Sequence, residues 1–139
     1  MAEFVFRDMI QKRGLENEIL VASAATSTEE IGNPVHPGTR RILKGIGISC
    51  EGKRAIQLKR SDYQTYDYIL GMDAYNVKNI LRLVGSDQEN KVERLLAIAG
   101  EQRDIADPWY TGDFEKTYRD VKLGLEALLT KIVEKYHLE

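Results

Sequence analysis

The sequence predicts an α/β domain built on a parallel sheet. Two observations predict it: stretches with apolar residues at helical spacing alternate with short apolar runs, and the alternation continues without a repeat, a low-complexity tract or a linker. A third sets the size, since 139 residues with 42% apolar content make one domain with a core of its own.

Each element follows from the residues in order. Ala2 to Arg13 place Val5, Phe6, Met9 and Ile10 on one helical face, and Gly14 follows as a C-terminal cap. Glu18 to Ala25 read as a strand feeding a loop. Thr26-Ser27-Thr28-Glu29 have capping-box spacing, and Ile31 to Gly38, with two prolines and two glycines, form a loop. Thr39 to Gly47 suggest a helix with Ile42, Leu43 and Ile46 inward. Ser61 to Gln64 offer a second capping box before a strand at Asp67 to Met72. Asp73 can cap the next helix, which buries Val77, Ile80, Leu81 and Val84. Val92 to Ile98 fit a helix by spacing and a buried strand by length; the strand reading gives a third strand. From Asp113 onward Phe114, Tyr118, Val121, Leu125, Leu128, Ile132 and Tyr136 mark a long amphipathic helix. The domain is expected to span residues 1–137. Leu138-Glu139 have the form of a cloning scar and are set aside.

Bulk properties exclude several functions. A net charge of −2 supplies no field for nucleic acid or an anionic membrane. No apolar run reaches the roughly 18–20 residues of a membrane span, and no signal peptide is visible at the N-terminus. The single cysteine, Cys50, forms no intramolecular disulfide, which fits a reducing cytoplasm. His36 and His137 stand apart, so neither a metal nor any other cofactor is expected.

Asp107-Pro108-Trp109-Tyr110 form the most informative tetrapeptide. They occupy a loop after the last candidate strand, and ligands of open α/β sheets bind at the carboxyl ends of strands. A carboxyl group beside two rings suits an acid next to a flat pocket wall. The plainer alternative is an Asp-Pro turn whose rings cover the core.

The whole chain resembles the low-molecular-weight protein tyrosine phosphatases. The resemblance is carried by Val21-Ala22-Ser23-Ala24-Ala25-Thr26-Ser27, Ile31-Gly32-Asn33-Pro34, Asp67-Tyr68-Ile69-Leu70-Gly71-Met72-Asp73 and Asp107-Pro108-Trp109-Tyr110, with Phe114, Glu115 and Tyr118 beyond. These matches occur in the family's order from Met1 almost to the C-terminus. Met1-Ala2-Glu3 resemble the residues that immediately follow the family's Cys-x5-Arg-Ser-Pro signature loop.

The resemblance implies a three-layer, flavodoxin-like fold, with a four-stranded parallel sheet flanked by helices. It implies a phosphotyrosine phosphatase working through a cysteinyl-phosphate, with Asp107 as the general acid. Trp109 and Tyr110 would line the pocket for the phosphotyrosine ring, with Glu29 on its rim where the family often has an aromatic residue. Ser23 and Asp73 would support the phosphate loop, and a phosphotyrosine protein or a small aryl phosphate would be the substrate. Lys53 and Ile56 depart from a histidine and an arginine of the family's supporting network. The family's full-length members are expected to be cytoplasmic monomers.

The signature loop is absent from these 139 residues, and so is the first, central strand of the sheet. Cys50 lies in Cys50-Glu51-Gly52-Lys53-Arg54, with its arginine at the wrong offset, and reads as a packed small residue. The chain therefore reads as N-terminally truncated and inactive alone. Without the central strand it is expected to be poorly folded, rearranged or completed by another segment or chain. The alternative from another class is a non-catalytic binding module that keeps the aromatic pocket. A third reading keeps the fold with another substrate, such as phosphoarginine, against which the paired aromatics stand. An arsenate reductase would need further redox cysteines.

Overall fold

The computed structural model describes residues 1–26, 32–50 and 52–138, and only the main chain of Trp109. Glu29 and most of the first capping box lie outside the described residues.

The chain opens with α1 (Ala2–Lys12), whose Val5, Phe6 and Ile10 turn inward as their spacing demands. Gly14 follows its C-cap with a φ of +69°, a left-handed conformation that glycine adopts without steric cost. The second helix, α2 (Pro37–Gly45), starts two residues before the expected Thr39. Proline occupies its first turn, where its missing N–H costs nothing, and His36 Nδ1 accepts from the Gly38 N–H at 3.0 Å. Leu43 is fully buried, whereas Ile46, expected inward, lies past the helix end and is exposed.

α3 (Asp62–Thr65) leads into β1 (Ile69–Gly71), and α4 (Ala74–Val84) follows. Ser61 does not cap α3 through its side chain; Asp62 turns back to accept from the Lys59 N–H instead. Asp73 caps α4 as its position suggested, accepting from the Asn76 N–H at 2.7 Å.

The ambiguous segment resolves into both readings. β2 (Val92–Arg94) pairs in parallel with β1, Ile69 opposite Val92, and the chain then turns at once into α5 (Leu95–Ile98). Asp87 fixes the start of β2 by accepting from the Lys91 and Val92 N–H groups and from the Tyr63 hydroxyl. A single turn, α6 (Pro108–Thr111), precedes the long α7 (Phe114–Tyr136), which Asp113 caps by accepting from the Lys116 N–H.

Two expectations are corrected. Glu18 to Ala25 is not a strand: its one sheet-like contact is an isolated parallel bridge from Ala25 to Gln57. Among the described residues the sheet has two strands where three of the family's four were expected in this chain, and β1 is laddered on one side only. Strands exist by pairing. Residues 18–24 have no neighbouring ladder, and the Val21 carbonyl accepts instead from the Arg7 guanidinium.

The layering nevertheless follows from the pleat of β1. Ile69 enters a cluster with Tyr63, Ile80 and Val84 on the α4 side. Its neighbours Tyr68 and Leu70 pack on the main cluster, where Val5, Phe6, Leu43, Leu95, Ile105, Val121, Leu125 and Leu129 meet. α7 is the hub of that cluster and packs against α1, α2 and α5. Cys50 is buried in it, and Leu138 packs on its edge with its N–H donating to the Val133 carbonyl.

Candidate active site

Asp107 follows a strap, residues 103–106, that is tied at every position. The Arg103 guanidinium grips both carboxylate oxygens of Asp120 on α7, at 3.0 and 3.1 Å. Asp104 accepts from the Ala74 N–H at 3.0 Å and pairs with Arg94 at the end of β2. The Ile105 N–H donates to the Met72 carbonyl at 2.8 Å, and its side chain is 1% exposed. The Thr117 hydroxyl donates to the Ala106 carbonyl. The Asp107 carbonyl then accepts from the N–H groups of Tyr110 and Thr111 in α6.

The strap therefore runs along the carboxyl ends of β1 and β2, where open α/β sheets bind ligands. Asp73 stands at the same end, one residue after Met72, and the strap reaches both neighbours of Asp73 through Met72 and Ala74. The side chain of Asp107 is exposed. Tyr110 is 90% exposed, so it covers no core, and the main chain of Trp109 lies beside it in α6.

Ser23 belongs to a second constellation. Its hydroxyl donates to Glu3 at 2.7 Å, and the same carboxylate accepts from Lys53 at 2.6 Å and from Arg7 at 2.8 Å. Burial pushes the Glu3 carboxyl up. Hydrogen bonds from Lys53 and Ser23, with the charges of Lys53 and Arg7, outweigh burial and hold it below the usual range. Ser23 and Lys53 line a cleft of about 250 Å³ with Phe4, Asn33, His36 and Ile56. A wider cavity of about 410 Å³, sharing Pro34 with it, is lined by Arg40, Cys50, Gly52 and Arg54.

The structure thus joins Asp107 to the Asp73 turn, and Ser23 to Glu3 and Lys53, as two separate constellations. Glu29 lies outside the described residues. The roles of Arg103, Thr117 and Asp120 carried no sequence signal, because partners 11 and 17 positions apart leave no local spacing to read. Of the partners of Glu3 only Arg7, four residues on, stands at a helical spacing. Among the described residues, no three His, Cys, Asp or Glu side chains converge as a metal site would require.

The model of the low-molecular-weight phosphotyrosine protein phosphatase family matches residues 1–138. The chain belongs to that family. It is 39% identical to the low-molecular-weight protein-tyrosine-phosphatase YfkJ of Bacillus subtilis, over 99% of this chain and 90% of the relative. It is 38% identical to the low-molecular-weight phosphotyrosine protein phosphatase of Gallus gallus, over 94% of this chain and 85% of the relative. The crystal structure of YfkJ superposes with a TM-score of 0.91, covering 96% of this chain and 86% of that one. That of the low-molecular-weight tyrosine phosphatase SP-PTP from Streptococcus pyogenes gives 0.85 at 36% identity, over 99% and 86% of the two chains. The α/β fold of these family members is therefore the fold of this chain. No described helix is long and apolar enough to cross a membrane.

Proposed function

We propose that this chain supplies the acid and supporting residues of a phosphotyrosine phosphatase site whose nucleophilic loop its sequence does not contain. The observation that carries the reading is the strap: four successive tethers hold the residue before an Asp-Pro step at the carboxyl ends of the strands. Membership of the family supplies the reaction class.

In that reaction a thiolate attacks phosphorus, an S–P bond forms and the ester P–O bond breaks. Asp107, protonated, gives its proton to the departing phenolate. Its carboxylate then takes a proton from the water that attacks the cysteinyl-phosphate, and phosphate leaves as the thiolate is restored. Trp109 and Tyr110 border the pocket for the aryl ring, which favours phosphotyrosine proteins or small aryl phosphates. Pro108 fixes the backbone beside the acid. Ser23, held by Glu3, and Asp73, at the cap of α4, support the phosphate loop. The pocket reading of Tyr110 gains from its exposure, which removes the core-covering alternative for that ring.

The 139-residue chain has no thiolate at a Cys-x5-Arg spacing and turns over no aryl phosphate alone. A lone cysteine, buried and unbridged, accords with a reducing cytoplasm as its compartment.

The test joins an apolar strand and a Cys-x5-Arg-Ser-Pro loop ahead of Met1. Asp107→Asn should then lower kcat by about 10²–10³ for aryl phosphates with basic leaving groups, and by less for acidic ones. An unchanged kcat with the basic leaving group would remove Asp107 from the mechanism.

A further inference from the structure

Arg103, Asp120 and Thr117 lie outside every motif of the sequence, yet they converge on the segment that carries Asp107. Asp120 is 8% exposed on α7, where an unpaired carboxylate would be costly, and Arg103 meets it fork to fork. Arg103 also bonds Glu101 at 3.1 Å, so one guanidinium staples the loop to itself and to the helix. One turn before Asp120, Thr117 is equally buried, and its hydroxyl donates to the carbonyl of Ala106, immediately before Asp107, at 3.1 Å, with the Asp113 carbonyl as a longer second acceptor at 3.3 Å. Both tethers issue from the helix that forms the hub of the core.

From these contacts we infer that Arg103, Asp120 and Thr117 are positioning residues for Asp107: α7 holds the strap through them and so fixes where the carboxyl stands. The inference rests on the reading of Asp107 as the acid. The two claims fail separately, however, because the tethers can be measured without turnover. Ile105 and the Met72 carbonyl anchor the strap to β1, so losing a tether to α7 loosens residues 105–112 locally and leaves the core closed. The lone tryptophan, Trp109, sits inside that segment and reports its motion.

The experiment is amide hydrogen exchange on the 139-residue chain, with Trp109 fluorescence anisotropy alongside. Arg103→Met and Thr117→Val should each speed exchange across 105–112 by about tenfold or more and lower the anisotropy. Exchange at 121–132 within α7 should change less than about twofold. Thr117→Ser, which keeps the hydroxyl, should restore both signals. Unchanged exchange at 105–112, or uniform acceleration of strap and core together, would overturn the inference, as would failure of serine to rescue. Asp120→Asn, a milder change, gives the same readout if Arg103→Met unfolds the chain. If Asp107→Asn leaves turnover intact in the loop-bearing polypeptide while these exchange effects stand, the acid reading fails and the tethers remain.

Discussion

Glu3 shows how much one charged side chain can organise. Its carboxylate is 4% exposed and accepts from a lysine, an arginine and a serine that lie on three parts of the chain. Removing a partner strands charge in a dry place. Lys53→Met should lower stability by about 2–3 kcal/mol, read as a lower urea midpoint at unchanged slope. An unchanged midpoint would show that Arg7 and Ser23 alone satisfy Glu3. Asp120 behaves alike: the hydrogen bond from Arg103 holds its carboxyl below the ordinary range. A depressed carboxyl adds stability above its unfolded pKa and loses it as pH falls through the folded one. The destabilisation by Asp120→Asn, about 1–2 kcal/mol at neutral pH, should stay level down to about pH 5 and shrink below about pH 4. Urea melts at four pH values check this; a gap that widens in acid would contradict the assignment.

Among the elements, α7 depends on close approaches that its apolar spacing does not reveal. A Cβ at Gly124 would stand 2.5 Å from Cγ of Leu95, a residue with no exposure at all. Gly124→Ala should therefore destabilise by about 1–3 kcal/mol, although alanine favours a helix by about 1 kcal/mol. A raised melting temperature would show that α5 yields easily. The face of α7 was legible because Val121, Leu125, Leu128 and Ile132 repeat on one side of a helix and need no distant partner to declare themselves. Residues 18–25 misled for the opposite reason: their apolar run has strand composition, but a strand is a relation between two segments. Val92 to Ile98 satisfied two periods and became both elements. In the candidate site, Asp73 was legible as a helix cap and Asp107 was singled out through the family resemblance, whereas Glu3 and Asp120 look like solvent-facing carboxylates until folding brings Lys53 and Arg103 to them.

For the whole molecule, the two strands paired among the described residues carry the main consequence. β1 is laddered by β2 on one side, and Leu70 packs against the main cluster with no described strand on the other flank of β1. An open edge beside an apolar interior recruits another strand. The 139-residue chain should therefore associate, with a sedimentation coefficient that rises over the micromolar range. A monomer with a cooperative melt would contradict this. The proposed chemistry also divides at the whole-molecule scale: Asp107 and its tethers belong to this chain, while its one cysteine, Cys50, has Ile56 where a Cys-x5-Arg spacing would place the arginine. The most direct measurement is turnover of a simple aryl phosphate by the 139-residue chain and its Cys50→Ser variant. No hydrolysis above buffer by either is the predicted result. Turnover that disappears with Cys50 would contradict it.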